Sequence, residues 1–478
     1  MNSRLRETGK TVWQTGLAER FAVIVDGADY YRFVKQAILK ARFQVLMIGW
    51  DFDTRVEFEP GGRTLEGPNE LGPFLNWMVA ERNPALDIRI LKWNLGILET
   101  VKRGETPFFV LQWLWGKGVT LKLDAAHPLA ASHHQKIIII DDAIAFCGGI
   151  DITKGRWDTR EHRDGDPDRH SPRGQLLDPW HDATTCVTGE AARLLGDLGR
   201  ARWSRATDEA VGTPPAHAGD LWPDGLEPAL RNVEIGISRT MGAFDLYPQV
   251  SEIEAMTLAA IASARRHLYI ESQYFASRRI AEAIAARLAE PDGPEVVVVN
   301  PESQDGWLEE KTMGAARARL LRLVHRADRH QRFGIFYPVT REGEPIYVHA
   351  KIMIVDDRFL KIGSSNLNNR SMGFDTECDL SLEADGDDAV AGAIRHIRDD
   401  LIAEHLDMRR EEVEHALRRD GSILRLVRES GREGRRQLVP LPVRELDAAD
   451  EALGEAELVD PERPPRFLRG IRRRLGLR

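Results

Sequence analysis

The stretches HHQKIIIIDDAIAFCGGID (133–151) and VHAKIMIVDDRFLKIGSSN (348–366) decide how this chain is read. Each runs His, one spacer, Lys, four spacers, Asp: His134, Lys136 and Asp141 in the first, His349, Lys351 and Asp356 in the second. Side chains alternate faces along a strand, so a His and a Lys two apart share a face and can hold one ligand. The four apolar residues after each Lys anchor the strand in a core covered on both sides. A Gly-containing turn follows, Gly148-Gly149-Ile150-Asp151 and Gly363-Ser364-Ser365-Asn366. Small residues there let a backbone approach a ligand, and the polar side chain at the end of each turn, Asp151 or Asn366, can bond it.

Working outward, the two stretches occupy equivalent places in a repeat. A helix over about 29–41 leads into an apolar strand at 44–48, and a helix over about 251–265 leads into one at 267–270. DIRILKWN (87–94) then matches EVVVVNPE (295–302), and VTLKLDA (119–125) matches RFGIFYPVT (332–340). After the special stretches, TTCVTGE (184–190) with a helix over 190–203 matches DLSLEAD (379–385) with a helix over 387–402. Strands alternating with helices predict an α/β fold: two similar layered halves related by a pseudo-twofold, each a mixed sheet flanked by helices. The expected divisions are an N-terminal segment 1–21, a first half 22–205, a linker 206–231 broken by Thr213-Pro214-Pro215, a second half 232–405 and an extension 406–478. A polar insertion at 155–182, rich in His and aromatic residues, has no counterpart in the second half.

The 478 residues, 42% of them hydrophobic, exclude a disordered chain, and a net charge of −9 argues against bulk nucleic-acid binding. Cys147, Cys186 and Cys378 are too few for a disulfide framework and are expected as free thiols. Neither a signal peptide nor a run of about 18 apolar residues is present, so a cytoplasmic protein peripheral to the membrane is expected.

The duplicated His and Lys point to an anion. A lysine beside each histidine disfavours a metal bound by His134 and His349, and no cofactor is expected. The set suits phosphoryl chemistry in which one neutral imidazole attacks phosphorus and the other, protonated, donates to the leaving oxygen. The lysines neutralise charge on the remaining oxygens. Asp182 and Glu377, each at the start of a strand, could hold a histidine's second nitrogen.

At these residues the sequence resembles the phospholipase D superfamily, whose hallmark is the duplicated His-x-Lys-x4-Asp motif, over about 22–405. It is most similar to the eukaryotic-type phospholipases D, through Gly155-Arg156-Trp157-Asp158, Pro179-Trp180-His181-Asp182, Ile270 to Phe275 and Asn368-Asn369-Arg370-Ser371. The resemblance implies a phospholipase D-like fold, a phospholipid substrate, cleavage on the headgroup side of the phosphodiester, and transfer of the phosphatidyl group to alcohols. It implies His134 as nucleophile and His349 as general acid, with Lys136 and Lys351 on the phosphate and Ser364 and Asn366 nearby. It makes Asp182 and Glu377 the orienting carboxylates. The symmetry of the halves leaves the order of the histidines open on sequence alone. Asp141 and Asp356 are expected to close a strand turn rather than touch substrate.

Rival readings with the same residues are a cardiolipin-synthase-like phosphatidyltransferase and a nuclease; a silent scaffold would need a broken motif. Beyond the repeat, one amphipathic helix is expected around 408–430. Residues 463–478, PRFLRGIRRRLGLR with the residues before it, have the pattern of a basic amphipathic helix suited to an anionic membrane surface.

Overall fold

The computed structural model describes residues 5–94, 118–304, 307–444 and 460, with side chains from 312 onward in the segment after 304. The basic end at 463–478 lies outside the described residues.

The first half contributes β1 (Gln14–Val25), α1 (Gly27–Leu39), β2 (Gln44–Gly49), α2 (Leu71–Trp77), β3 (Asp87–Trp93), β4 (Val119–Asp124), β5 (Ile137–Ile140), β6 (Ile144–Gly148), β7 (Trp180–His181), β8 (Ala183–Gly189) and α3 (Glu190–Thr207). The second contributes β9 (Leu230–Met241), β10 (Val250–Ser251), α4 (Glu252–Ser263), β11 (His267–Glu271), α5 (Arg278–Ala289), β12 (Glu295–Val299), α6 (Trp307–Ala327), β13 (Phe333–Val339), β14 (Tyr347–Val348), β15 (Ile352–Val355), β16 (Phe359–Gly363), α7 (Asn369–Gly373), β17 (Glu377–Glu383) and α8 (Asp388–His405). The extension adds α9 (Arg410–Asp420), α10 (Ile423–Ser430) and β18 (Gln437–Pro440).

All strands but β7 and β14 join one mixed sheet, in the order β18-β13-β12-β11-β15-β16-β17-β9-β1-β8-β6-β5-β2-β3-β4, with β10 paired to β9. Apart from β18 the order reads the same from either end, which is the pseudo-twofold. Its centre is the antiparallel pair β1 and β9, in register from Gln14 opposite Ile237 to Phe21 opposite Leu230. These two long strands cross the boundaries expected at 22 and 232.

The motif strands show why both faces had to be apolar. Ile137 and Ile139, with Ile352 and Ile354, enter a core shared by the halves and covered by α3 and α8. Ile138 and Ile140 face the opposite layer with α1 and α2, and Met353 and Val355 face that of α4, α5 and α6. Period-two alternation thus feeds two cores from one run.

Each motif strand turns back on Asp141-Asp142 or Asp356-Asp357, all four at φ between 51° and 56°. Two successive positive φ values make the tight hairpin turn whose twist matches the strands, and Asp tolerates that region. Asp141 also accepts the backbone N–H groups of Arg42, Phe43 and Gln44 (2.7–2.9 Å). Asp356 does the same for Arg265, Arg266 and His267 (2.7–2.8 Å). Each therefore ties its own hairpin to the entry of the neighbouring strand.

The helix expected around 408–430 is two helices. Gly421 at φ 66° ends α9, and the Ser422 side chain accepts from Arg425 N (3.0 Å) to begin α10. All three cysteines are buried and free. Among the described residues, no helix is long and apolar enough to cross a membrane.

Candidate active site

His134 and Lys136, like His349 and Lys351, sit in the extended entry to β5 and β15, just before the ladder starts. What aligns them is pairing between the halves. His133 bridges Thr376 in parallel, and β14 pairs in parallel with β7, Val348 opposite His181. His134 N then donates to Thr376 O (2.9 Å) and His349 N to His181 O (2.8 Å). The next residue in each partner segment is a buried carboxylate, Glu377 or Asp182, so each histidine meets the acid of the opposite half.

His134 Nδ1 donates to Glu377 Oε2 (3.0 Å) and lies 3.1 Å from the Ser364 carbonyl. A carbonyl can only accept, so Nδ1 carries the hydrogen and Nε2 keeps its lone pair. Glu377 takes two more hydrogen bonds, from Ser364 Oγ (2.5 Å) and Ser371 Oγ (2.7 Å). His349 Nδ1 sits 2.6 Å from Asp182 Oδ2, and Asp182 Oδ1 accepts from Ala183 N (2.8 Å). Lys136 pairs with Asp151 (3.1 Å), while Lys351 bonds the carbonyl of His349.

A cavity of about 370 Å³ is lined by His134, His349, Asp151, Asn366 and Glu377, together with Trp50, Trp93, Arg156, Gln273, Tyr274, Arg370, Ser371 and Asp375, while Lys136, Lys351, Asp182 and Ser364 are buried beside the lining and not part of it. His134 keeps 17% of its side-chain surface and His349 6%. Burial, then Lys136 and Lys351, push His134 well below the ordinary histidine range; burial, Lys351 and Arg156 do so for His349. Burial brings Lys351 down to about 7 and pushes Glu377 up to about 8. Neutral imidazoles thus stand among Lys136, Lys351, Arg156 and Arg370, cations partly offset by Asp151 and Asp375, an arrangement that can hold an anion. The proton it brings or induces can then settle on a histidine backed by a carboxylate.

Two of the turn glycines also make room for side chains of the protein itself. A Cβ on Gly149 would stand 2.2 Å from Asp182 Oδ1, and one on Gly363 2.1 Å from Asp379 Oδ1. They leave room for buried carboxylates.

Of the expected residues, Asp141 and Asp356 lie away from the cavity, at the hairpin turns. Several lining residues had no site role in the sequence reading, although Arg156 and Gln273 lie in the motifs that carry the resemblance. Trp50, Trp93 and Gln273 lie at or just past the C-terminal ends of the parallel strands β2, β3 and β11, where ligands gather in such sheets; that position was the available signal. Arg156 belongs to the 155–182 insertion. Its guanidinium stacks 3.9 Å above the Trp180 ring, and Trp180 stacks on Tyr347 (4.7 Å) and packs against His349 (5.1 Å). The extension also reaches the rim, where Asp460 accepts from Asn369 N (2.9 Å) and Arg370 N (2.8 Å).

A duplicated half, one composite cavity and crossed His–carboxylate pairs define the class. Residues 37–214 match the family model described as phospholipase D, and residues 257–400 match that described as cardiolipin synthase, phospholipase D-like domain. The chain belongs to the phospholipase D superfamily. It is 26% identical over 418 residues to phospholipase D A of Dictyostelium discoideum, covering 75% of this chain and 32% of that protein. It is 26% identical over 259 residues to a cardiolipin synthase of Halalkalibacterium halodurans, covering 54% of this chain and 44% of the relative. The chain therefore spans less than half the length of either. Phosphatidylserine synthase of Haemophilus influenzae has the same fold, with a TM-score of 0.53 at 13% identity, covering 87% of this chain and 95% of that one.

Proposed function

We propose that this chain is a phospholipase D, cleaving the headgroup-side phosphodiester of a glycerophospholipid through a phosphohistidine and passing the phosphatidyl group to water or an alcohol. The observation that carries the reading is the crossed pairing of two cavity-facing imidazoles with buried carboxylates beside two lysines. The site residues are His134, Lys136, His349 and Lys351, supported by Asp151, Asp182, Ser364, Asn366 and Glu377.

His134 Nε2 attacks phosphorus, and the P–O bond to the headgroup alcohol breaks. His349, protonated at Nε2, gives its proton to that oxygen. His349 then takes a proton from water or an alcohol, which attacks the phosphohistidine and frees His134. Glu377 and Asp182 stabilise the imidazolium formed at each stage. Lys136, Lys351 and Arg156 offset charge on the phosphoryl oxygens.

The match of residues 257–400 to a cardiolipin-synthase-type model supports a second reading, in which the acceptor is another lipid's hydroxyl. Mixed-lipid vesicles incubated with and without ethanol separate the two: phosphatidate and phosphatidylethanol mark the first, a diphosphatidyl product the second. His134→Ala should abolish headgroup release. His349→Ala should still release nitrophenol in a first-turnover burst from a substrate with that leaving group, which needs no proton, while later turnovers stay slow for want of the base. Full activity of both variants on the natural lipid would remove the proposal.

A further inference from the structure

Behind Asp182 lies a second cluster, outside the cavity. Asp26, His162, His181 and Glu404 are buried, and each offers a donor atom within 4.8 Å of the others. His162 Nε2 lies 3.5 Å from Asp26 Oδ2 and 3.3 Å from Glu404 Oε1. His181 Nδ1 lies 3.3 Å from Asp26 Oδ1 and 2.8 Å from Glu404 Oε1. A tetrahedral ion with bonds of about 2.0–2.1 Å has donor–donor edges of about 3.3–3.4 Å; three of these four separations lie near that value and the fourth, His181 Nδ1 to Glu404 Oε1, is shorter. Asp26 Oδ2 is buried without a hydrogen-bond partner although it faces these groups.

The far side of each histidine is already fixed. His162 Nδ1 sits on Asp158 (2.9 Å), and His181 Nε2 on Glu271 (2.7 Å), itself held by Tyr269 Oη (2.6 Å) and His405 (3.2 Å). Carboxylates behind imidazoles orient ring nitrogens toward a metal and raise their basicity. Glu404 Oε2 is bound by Arg160 (2.6 Å), leaving Oε1 for the site. Asp26, Asp158, Glu271 and Glu404 face two guanidiniums, those of Arg160 and Arg169, and Arg160 is shared with Asp400 (2.8 Å), so negative charge is left to offset when the histidines are neutral.

We propose that Asp26, His162, His181 and Glu404 bind one divalent transition-metal ion of tetrahedral preference, as a structural clasp separate from the reaction. It would join the end of β1, the 155–182 insertion, β7 and α8. Because Asp182 N bonds Asp26 Oδ1 (3.1 Å) and Asp26 N bonds Asp182 O (2.8 Å), the clasp would also fix the carboxylate that orients His349.

The rival occupants of the same space are two protons on the histidines. The full chain, dialysed against micromolar zinc and passed over a desalting column, should retain about one zinc per chain by mass spectrometry. Chelation should lower Tm by about 3 °C or more. Cobalt in place of zinc should give the intense visible bands of a tetrahedral site. Glu404→Gln should lose the ion and melt like the chelated wild type. Wild-type protein that retains less than about a tenth of an equivalent, with Tm unchanged by zinc or chelator, would overturn the proposal and leave the protons in place.

Discussion

Replacing Glu377 by Gln tests the proposed chemistry at one atom. Gln is isosteric and stays within reach of Ser364 and Ser371, but it removes the charge facing His134 Nδ1 at 3.0 Å. An imidazolium and a carboxylate about 4 Å apart attract by about 4 kcal/mol at an effective dielectric of 20. The Gln amide oxygen and the Ser364 carbonyl retain part of this, leaving the usual worth of a hydrogen bond to a charged group, about 1.5 to 3 kcal/mol. At 1.36 kcal/mol per decade, kcat should fall about 10- to 150-fold, with KM little changed. The pH profile gives an independent sign. Attack requires the His134–Glu377 pair to have lost its extra proton, so the rising limb of kcat/KM reports that pair. Without the carboxylate, only Asp151 and Asp375 oppose burial and the two lysines at His134, its pKa drops, and the rising limb moves to lower pH. Stability follows the same logic. A carboxyl raised by folding from 4.5 to about 8 makes folding take up a proton, so its contribution to wild-type stability should decline from about pH 4.5 to 8. The Gln variant should lack that slope. Headgroup release across pH 5–9, with urea unfolding at three pH values, measures both. A variant within about threefold of wild type, with an unmoved rising limb, would refute the reasoning.

Gly149→Ala should displace Asp182, with a loss of about 1–3 kcal/mol in urea unfolding and at least a tenfold fall in turnover. Asp141→Asn should cost about 1–3 kcal/mol of stability, by weakening three charge-assisted bonds, while kcat stays near wild type. Arg156→Ala removes a cation that lowers His349, so the falling limb of the rate profile should shift to higher pH; an unmoved limb would place Arg156 outside the charge balance.

The periodic strands and the two motifs were legible because their signals are local. The run Ile137 to Ile140 announces a doubly covered strand by itself, and a His two residues before a Lys needs no partner to be noticed. β1 was not legible: QTGLAERFAVIV mixes polar and apolar residues, and only its two distant neighbours, β8 and β9, make it a central strand. The crossed acids were partly legible. Asp182 and Glu377 stood out as carboxylates at strand starts, but Glu377 is 243 residues from His134, and no local pattern says which histidine each acid serves. The cavity wall formed by Trp50, Trp93 and Gln273 needed strand direction, which follows from the sheet order and not from composition. The cluster of Asp26, His162, His181 and Glu404 was hidden for the same reason, since its members are spread over most of the chain.

The antiparallel junction of β1 with β9 bears on how the molecule comes apart. Severing the chain near Thr213-Pro214-Pro215 would leave each fragment with a naked central strand and a histidine lacking its acid. Two such fragments should therefore be inert and sticky when expressed alone, and regain function only when expressed together. The intact chain should unfold in a single transition, since neither half owns a complete edge. Across this seam, a substitution in one half alters the environment of the opposite half's histidine, so each copy of the repeat constrains what the other can tolerate.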